Sequence, residues 1–232
     1  MAHFVFMLTH DDRTVENAAE IVPTLADTGL RYIGFKDVGA DPARQRELTS
    51  LAHDAGLEVM LEVVSTSKEA ELSSLRSAAE AGVDWVLGGT HGADTAGMLP
   101  DGVHYCPFPG QVVDHPSVLL GTIDQIAADS ERLTGLDHVA GLDLLAYRHP
   151  TADTLELIRA VVQASSGPVI VAGSIASIER AVAVSEAGAW GYTIGSAIFD
   201  GLLPGAPTIA DQVRRVLEET ASDADTSLET RT

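Results

Sequence analysis

The feature that most constrains this chain is a repeat. A short apolar, β-branched run is followed by a helical stretch, many of these closed by glycine, eight times at nearly even spacing. Runs of this kind have both faces covered, as parallel strands lying between helices do. The strands are expected at Phe4–Leu8, Tyr32–Phe35, Glu58–Val64, Asp84–Leu87, Val103–Cys106 and Val139–Leu145, with two more starting at Val169 and Gly191. Helical periodicity predicts helices over 14–27, 42–55, 68–81, 94–98, 117–133, 151–164 and 177–186, with Gly29, Gly56 and Gly82 as C-terminal closers. No Gly-rich dinucleotide turn follows the first strand. Eight units in 232 residues therefore favour an α/β fold of the closed kind, a single (β/α)8 TIM barrel, over an open doubly wound sheet.

At 45% hydrophobic and 21% charged residues the chain can bury a large core, and no linker interrupts its body. One barrel domain over 1–220 is expected, ending in a helix over 207–219. The polar, acidic and aperiodic stretch 221–232 is expected to be a disordered tail. No apolar run approaches a membrane span, and the short segment after Met1 runs into His10-Asp11-Asp12, unlike a signal peptide. The single cysteine, Cys106, excludes an internal disulfide, and a cytoplasmic setting is expected. A net charge of −20 argues against nucleic acid and against an anionic membrane surface as partners. Any anionic ligand must then be held by local dipoles and a few cations. Homo-oligomerisation is left open, and no cofactor is read from the sequence.

Barrels of this kind carry their active sites at the C-terminal ends of the strands. That rule selects His10, Asp11 and Asp12, then Lys36 and Asp37, then Glu62 and Ser65, then His91, Asp143, Arg148 and His149. Lys36 is the sharpest of them, because a lysine desolvated in a barrel mouth loses its proton more easily and becomes a nucleophile for a carbonyl. An adjacent Asp37 would oppose that, either orienting Lys36 or pairing with it, and Glu62 is another partner. Glu62 and Asp143 sit inside apolar runs, where a carboxylate is costly unless it has a partner or a task. Together with Asp11 they are the candidate acids and bases. Asp12, followed by Arg13, is read as a helix cap. Arg148 and His91 are candidates for binding the substrate, Arg148 through an anionic group. No short His-x-His or His-x-Asp pair lies within an expected strand, so no metal is expected, and Cys106 is read as a buried small side chain.

Two stretches, Pro168-Val-Ile-Val-Ala-Gly-Ser-Ile-Ala-Ser177 and Trp190-Gly-Tyr-Thr-Ile-Gly-Ser-Ala-Ile-Phe199, each pass from an apolar strand through Gly-Ser into a helical start. Such a turn lets a backbone approach a ligand and points free N–H groups outward. The pair Gly173-Ser174 and Gly195-Ser196 resembles the phosphate-binding turns of the ribulose-phosphate-binding barrels, many of which carry Gly-Gly where this chain has Gly173-Ser174. The resemblance implies a phosphate held by these four residues at the ends of strands seven and eight. Lys36 is similar in place to the strand-two lysine of furan-forming aldehyde-phosphate synthases, which use Schiff-base chemistry. Those enzymes place a second lysine on a later strand, whereas strand six here carries Arg148.

The expected function is an enzyme acting on a small phosphorylated metabolite, of lyase or aldolase type. Lys36 would form a Schiff base or stabilise an enolate, with the carboxylates as acid and base. A sugar-phosphate isomerase or epimerase using two carboxylates is the alternative, and a non-catalytic phosphometabolite-binding barrel is a third.

Overall fold

A computed structural model describes residues 1–65, 67–201 and 207–229, with side chains described as far as 221. Eight strands make one parallel sheet: β1 His3–Met7, β2 Tyr32–Lys36, β3 Glu58–Val63, β4 Trp85–Gly88, β5 His104–Cys106, β6 Leu142–Leu144, β7 Val169–Val171 and β8 Gly191–Ile194. The order around the sheet runs β6-β7-β8-β1-β2-β3-β4-β5, so the two ends of the series are sequence neighbours. Across that seam the N–H groups of Ala140 and Asp143 donate to the carbonyls of Tyr105 and Pro107, at 2.8 and 3.1 Å. The ring is thereby drawn together into a (β/α)8 barrel.

Alternation along the strands divides the apolar residues into two populations, since successive side chains point to opposite faces. Val5, Met7, Met60, Leu87, Cys106 and Ile170 fill the inside of the ring. Phe4, Phe6, Ile33, Leu61, Val86 and Leu144 point outward to the helices. The same parity carries Lys36, Glu62, Asp143 and Thr193 inward, next to residues of that plug. In the register Lys36 lies beside Glu62, Glu62 beside Leu87, and Asp143 beside Ile170. Lys36 and Glu62 thereby come together toward the C-terminal mouth of the barrel.

The other end is closed by aromatic rings. His3, Tyr32, Trp85, His104 and Trp190 all stand at the starts of strands. Trp85 and Trp190 lie 5.1 Å apart, Trp190 and Tyr32 5.4 Å, and Trp85 and His104 4.2 Å. The Trp85 indole donates to Glu58, which also holds Arg31.

The outer helices begin where short polar side chains satisfy free N–H groups. α1, Ala18–Ile21, passes straight into a 3-10 turn at Val22–Leu25. α2, Pro42–Asp54, is capped by Asp41; α3, Lys68–Ala81, by Ser67; and α4, Ile123–Thr134, by a capping box of Thr122 and Gln125. α5, Thr154–Ala164, and α6, Ile178–Glu186, start at Asp153 and Ser177. A short α7, Ser196–Phe199, follows β8, and α8 spans Ile209–Glu229. No helix among the described residues is long and apolar enough to cross a membrane.

Several expected elements differ. The helix predicted over 117–133 contains a strand: Val118–Leu120 pairs antiparallel with Gln111–Val113, and α4 begins only after Gly121-Thr122. Leu119 is fully buried there, so an apolar strand joined to an amphipathic helix had the look of one long helix. The first predicted helix loses its opening residues to a small hairpin, Thr9–His10 against Arg13–Thr14. The helix expected near 94–98 is a 3-10 turn at Gly92–Asp94. α8 runs past Glu219 to Glu229; the rest of the tail expected from 221, residues 230–232, lies outside the described residues.

If the inner plug supports the polar groups beside it, emptying it should be costly. Met60→Ala removes a fully buried side chain and should lower unfolding stability by about 2–5 kcal/mol in urea titrations, with the native circular dichroism retained.

Candidate active site

A cavity of about 560 Å³ opens at the C-terminal mouth of the barrel. Its lining includes Lys36, Glu62 and Arg148 together with the turns Gly173–Ala176 and Gly195–Ala197. β2 and β3 deliver Lys36 and Glu62 from below, and Arg148 arrives on a 3-10 turn, Ala146–Arg148, just beyond β6.

The centre of the arrangement is Asp12. Asp11 and Asp12 form the two-residue turn of the small hairpin, with φ of 48° and 60°. Such turns need positive φ at both positions, which aspartate tolerates better than most residues. The turn folds the Asp12 carboxylate down into the mouth, where its side chain is only 8% exposed. It accepts from Lys36 Nζ at 2.5 Å and takes both terminal nitrogens of Arg148 at 2.7 Å each, a bidentate pair. Glu62 Oε1 lies 3.4 Å from Lys36 Nζ on the other side. Two cations thus face two carboxylates.

Burial pushes the Asp12 carboxyl up, but hydrogen bonds from Arg148 and the Lys36 charge outweigh it and hold the group far below the usual carboxylate range. Burial also works against the Lys36 ammonium, yet Glu62 and Asp12 overcome it, so Lys36 titrates above its ordinary value. This corrects the expectation of a lysine made nucleophilic by desolvation. Lys36 is held as an ammonium because its two carboxylate neighbours came with it into the barrel.

Asp143 lies beneath, fully buried, and neither of its carboxyl oxygens finds a hydrogen-bond partner in the protein. Burial first, and the Glu62 charge second, raise its pKa well above the carboxylate range. Asp143 is therefore the neutral acid of the group. Next to it, Cys106 is also fully buried, and burial pushes its thiol upward, so it stays protonated.

The other candidates separate clearly. Asp11 stands at the cavity rim with its side chain 88% exposed and contacts His10, away from Glu62 and Asp143. His91 does not line the cavity. The buried Glu71 of α3 accepts from the backbone N–H of both Thr90 and His91 and meets His91 Nδ1 at 2.8 Å, which draws the imidazole outward. Asp37 does not orient Lys36, because neighbouring strand residues face opposite ways. It accepts instead from Val38 N, Val64 N, Ser65 Oγ and Ser74 Oγ, tying β2, β3 and α3 together. His149 bonds the Gly121 carbonyl and the N–H groups of Thr151 and Ala152 outside the cavity.

At the turn after β7 the glycine has a second use. A Cβ at Gly173 would collide with Arg148 Nε, so the side chain of Arg148 passes where only a glycine leaves room. Gly195 likewise lies against Thr9, where a Cβ would meet Thr9 Oγ1. Ser174 takes a φ of 60°. Among the described residues, the N–H groups of Gly173, Ser174, Ile175 and Ala176 have no acceptor within the protein. Arg180, which sits on α6 and so escapes a rule based on strand ends, donates to the Ser174 carbonyl at 2.6 Å and stacks over the Tyr147 ring at 4.9 Å. It adds a positive charge beside this turn. Among the described residues no group of His, Cys, Asp and Glu side chains is arranged to hold a metal ion.

No protein-family model and no curated protein matches this chain. Solved structures do match it. A truncated form of 3-deoxy-D-arabino-heptulosonate 7-phosphate synthase from Thermotoga maritima aligns at a TM-score of 0.64 and 15% identity, over 97% of this chain and 87% of that one. A structure described as native KDPGal aligns at 0.63 and 14% identity, covering 96% of each chain. An HpcH/HpaI aldolase from Desulfitobacterium hafniense DCB-2 gives 0.61 and 13%, over 87% of this chain and 89% of that one. The likeness lies in the fold. At these identities it carries no side-chain role across.

The neutral Asp143 has a thermodynamic signature. Folding raises its pKa above the value of about 4 that it has once unfolded, so its contribution to stability falls as pH rises above about 4. Asp143→Asn removes this penalty without adding a charge. It should melt above wild type at about pH 7, with the difference shrinking toward about pH 4 in calorimetric scans.

Proposed function

We propose that this barrel is an enzyme of the lyase class, an aldolase-type catalyst acting on a small phosphorylated carbonyl compound. The observation that carries the proposal is Lys36 at the base of the cavity, held as an ammonium between Asp12 and Glu62 above a neutral, unpartnered Asp143. The aldolase and synthase names borne by similarly folded barrels support the same class.

An ammonium fixed in a water-poor mouth is complementary to an oxyanion that develops during reaction, because its charge is in place before the negative charge appears. A carbonyl oxygen resting on Lys36 would be stabilised as it becomes an enolate. Glu62 takes the proton of the hydroxyl on the carbon at the far end of the bond that breaks, and the cleaved fragment leaves as an aldehyde. Glu62 then hands that proton to the enolate carbon, and the neutral Asp143 beneath keeps its own, so the site returns to its starting charge. Acid–base assistance of this kind is worth about 10²–10⁴-fold. Arg148, engaged by Asp12 through two hydrogen bonds, positions Asp12 and is less available to a ligand anion. The phosphate is assigned to the unpaired N–H groups of 173–176, with Arg180 beside them and the start of α7 opposite.

The same carboxylates would serve an isomerase, and Glu62 beside Asp143 is the observation that favours that second reading. Incubation with a panel of phosphorylated hydroxy-ketones and hydroxy-acids, read by mass spectrometry for a released aldehyde, separates the two. Lys36→Met should lower cleavage at least about 10³-fold. Lys36→Arg, which keeps the charge, should retain a measurable fraction, and borohydride should leave the protein mass unchanged. A reduced adduct on Lys36 would replace the ammonium role with a Schiff base. Deuterium uptake from solvent without cleavage would point to the isomerase.

A further inference from the structure

A second cavity, of about 250 Å³, adjoins the first and meets it at Ser117. The two share a roof. Residues Pro116 to Val118 of the hairpin beyond β5 face the larger cavity, and Val112 to Asp114 face the smaller one. The smaller cavity lies at the ends of β3 and β4, which stand four strands around the ring from β7 and β8. A chain-like molecule anchored at the β7 and β8 turns and crossing Lys36 would therefore reach it with its far end.

Its lining states what that end must be. No Lys, Arg or His is among the residues that line it, and Asp114 adds a carboxylate, so a second anionic group has nothing to meet there. Three residues of its lining carry hydroxyls, Ser65, Thr90 and Ser117. Ser65 donates to Asp37 at 2.6 Å, and Thr90 Oγ1 lies 3.3 Å from Glu71 and 3.2 Å from His91 Nδ1. A carboxylate only accepts, so the Ser65 hydrogen is committed to Asp37 and its lone pairs are left for the cavity. The wall thus presents uncharged hydroxyls and the Asp114 carboxylate, with Phe108 and Val112 as apolar surface beside them. A hydroxyl-bearing chain offers donors on an apolar carbon frame.

We infer that this second cavity is the seat of the uncharged, hydroxylated end of the substrate, and that the substrate is a polyhydroxylated compound phosphorylated at one end only. The inference rests on the phosphate seat proposed above and extends it across the barrel mouth.

Calorimetric titration of the whole protein with inorganic phosphate, glycerol 3-phosphate, a hexitol 6-phosphate and a hexitol 1,6-bisphosphate tests it, since none of these has a carbonyl to turn over. Affinity should rise along the first three, with the hexitol 6-phosphate at least about tenfold tighter than inorganic phosphate and the bisphosphate at least about tenfold weaker than the monophosphate. Val112→Trp fills the second cavity and should erase the gain from chain length while leaving inorganic phosphate binding unchanged. Thr90→Val, a near-isosteric change, should reduce the gain in a protein whose melting temperature shows it folded. If inorganic phosphate binds but the longer monophosphates bind no tighter, the second seat is wrong and the phosphate seat stands. The second seat is equally overturned if both variants keep the full gain. If no phosphate binds at all, the phosphate seat fails and this inference falls with it.

Discussion

The carboxylate of Asp12, shared between Lys36 and Arg148, is the contact on which the rest of the mouth depends. Lys36 would be costly in its place without it, since a buried ammonium must be paired to stay charged. Arg148 comes from the far side of the ring, 136 residues away in sequence, and is drawn in by the same group. Gly173 leaves room for the guanidinium, and the tight hairpin 9–14 brings Asp12 down to meet it. One backbone turn with two aspartates of positive φ thereby sets the protonation of a lysine on the next barrel strand and the position of an arginine beyond β6. Backbone held in a sparsely occupied region beside a cavity is a feature that functional sites often carry.

The barrel and part of its mouth were legible in the amino-acid sequence for a physical reason. Parallel strands buried on both faces give continuous apolar runs, and a charge inside such a run stands out. Lys36, Glu62 and Asp143 were visible for that reason, and the alternation of strand side chains turns all of them inward. Asp12 was not visible. Its place depends on a turn type, and Asp-Asp is a weaker hairpin signal than Asn-Gly or Asp-Gly, so the residue passed for a helix cap. The β-branched Thr14-Val15 that follows, and Asn17 just before the helix, are the signals that α1 starts later.

His91 and Arg148 illustrate what strand-end position leaves open. The rule that places functional groups beyond the strands names a neighbourhood and no partner. Beyond β4 the chain runs through Gly89 and Thr90 before reaching His91, far enough for the buried Glu71 to claim the imidazole. Arg148 is at the cavity, but its bidentate partner is a carboxylate of the protein itself. Partner choice of this kind depends on which charges tertiary packing brings within about 3 Å, and no local pattern encodes it.

The aromatic floor of the barrel has a practical consequence for anyone following this protein in solution. The chain has 2 tryptophans, and both of them, Trp85 and Trp190, lie in that floor. The cavity opens at the opposite end of the strands, with the apolar plug of Met60, Leu87 and Ile170 in between. Intrinsic emission will therefore respond when the barrel comes apart and stay quiet when the mouth is filled. The nearest aromatic side chain in the cavity lining is Tyr147, stacked under Arg180. An optical reporter of occupancy has to be placed there, at the other end of the molecule from its natural chromophores.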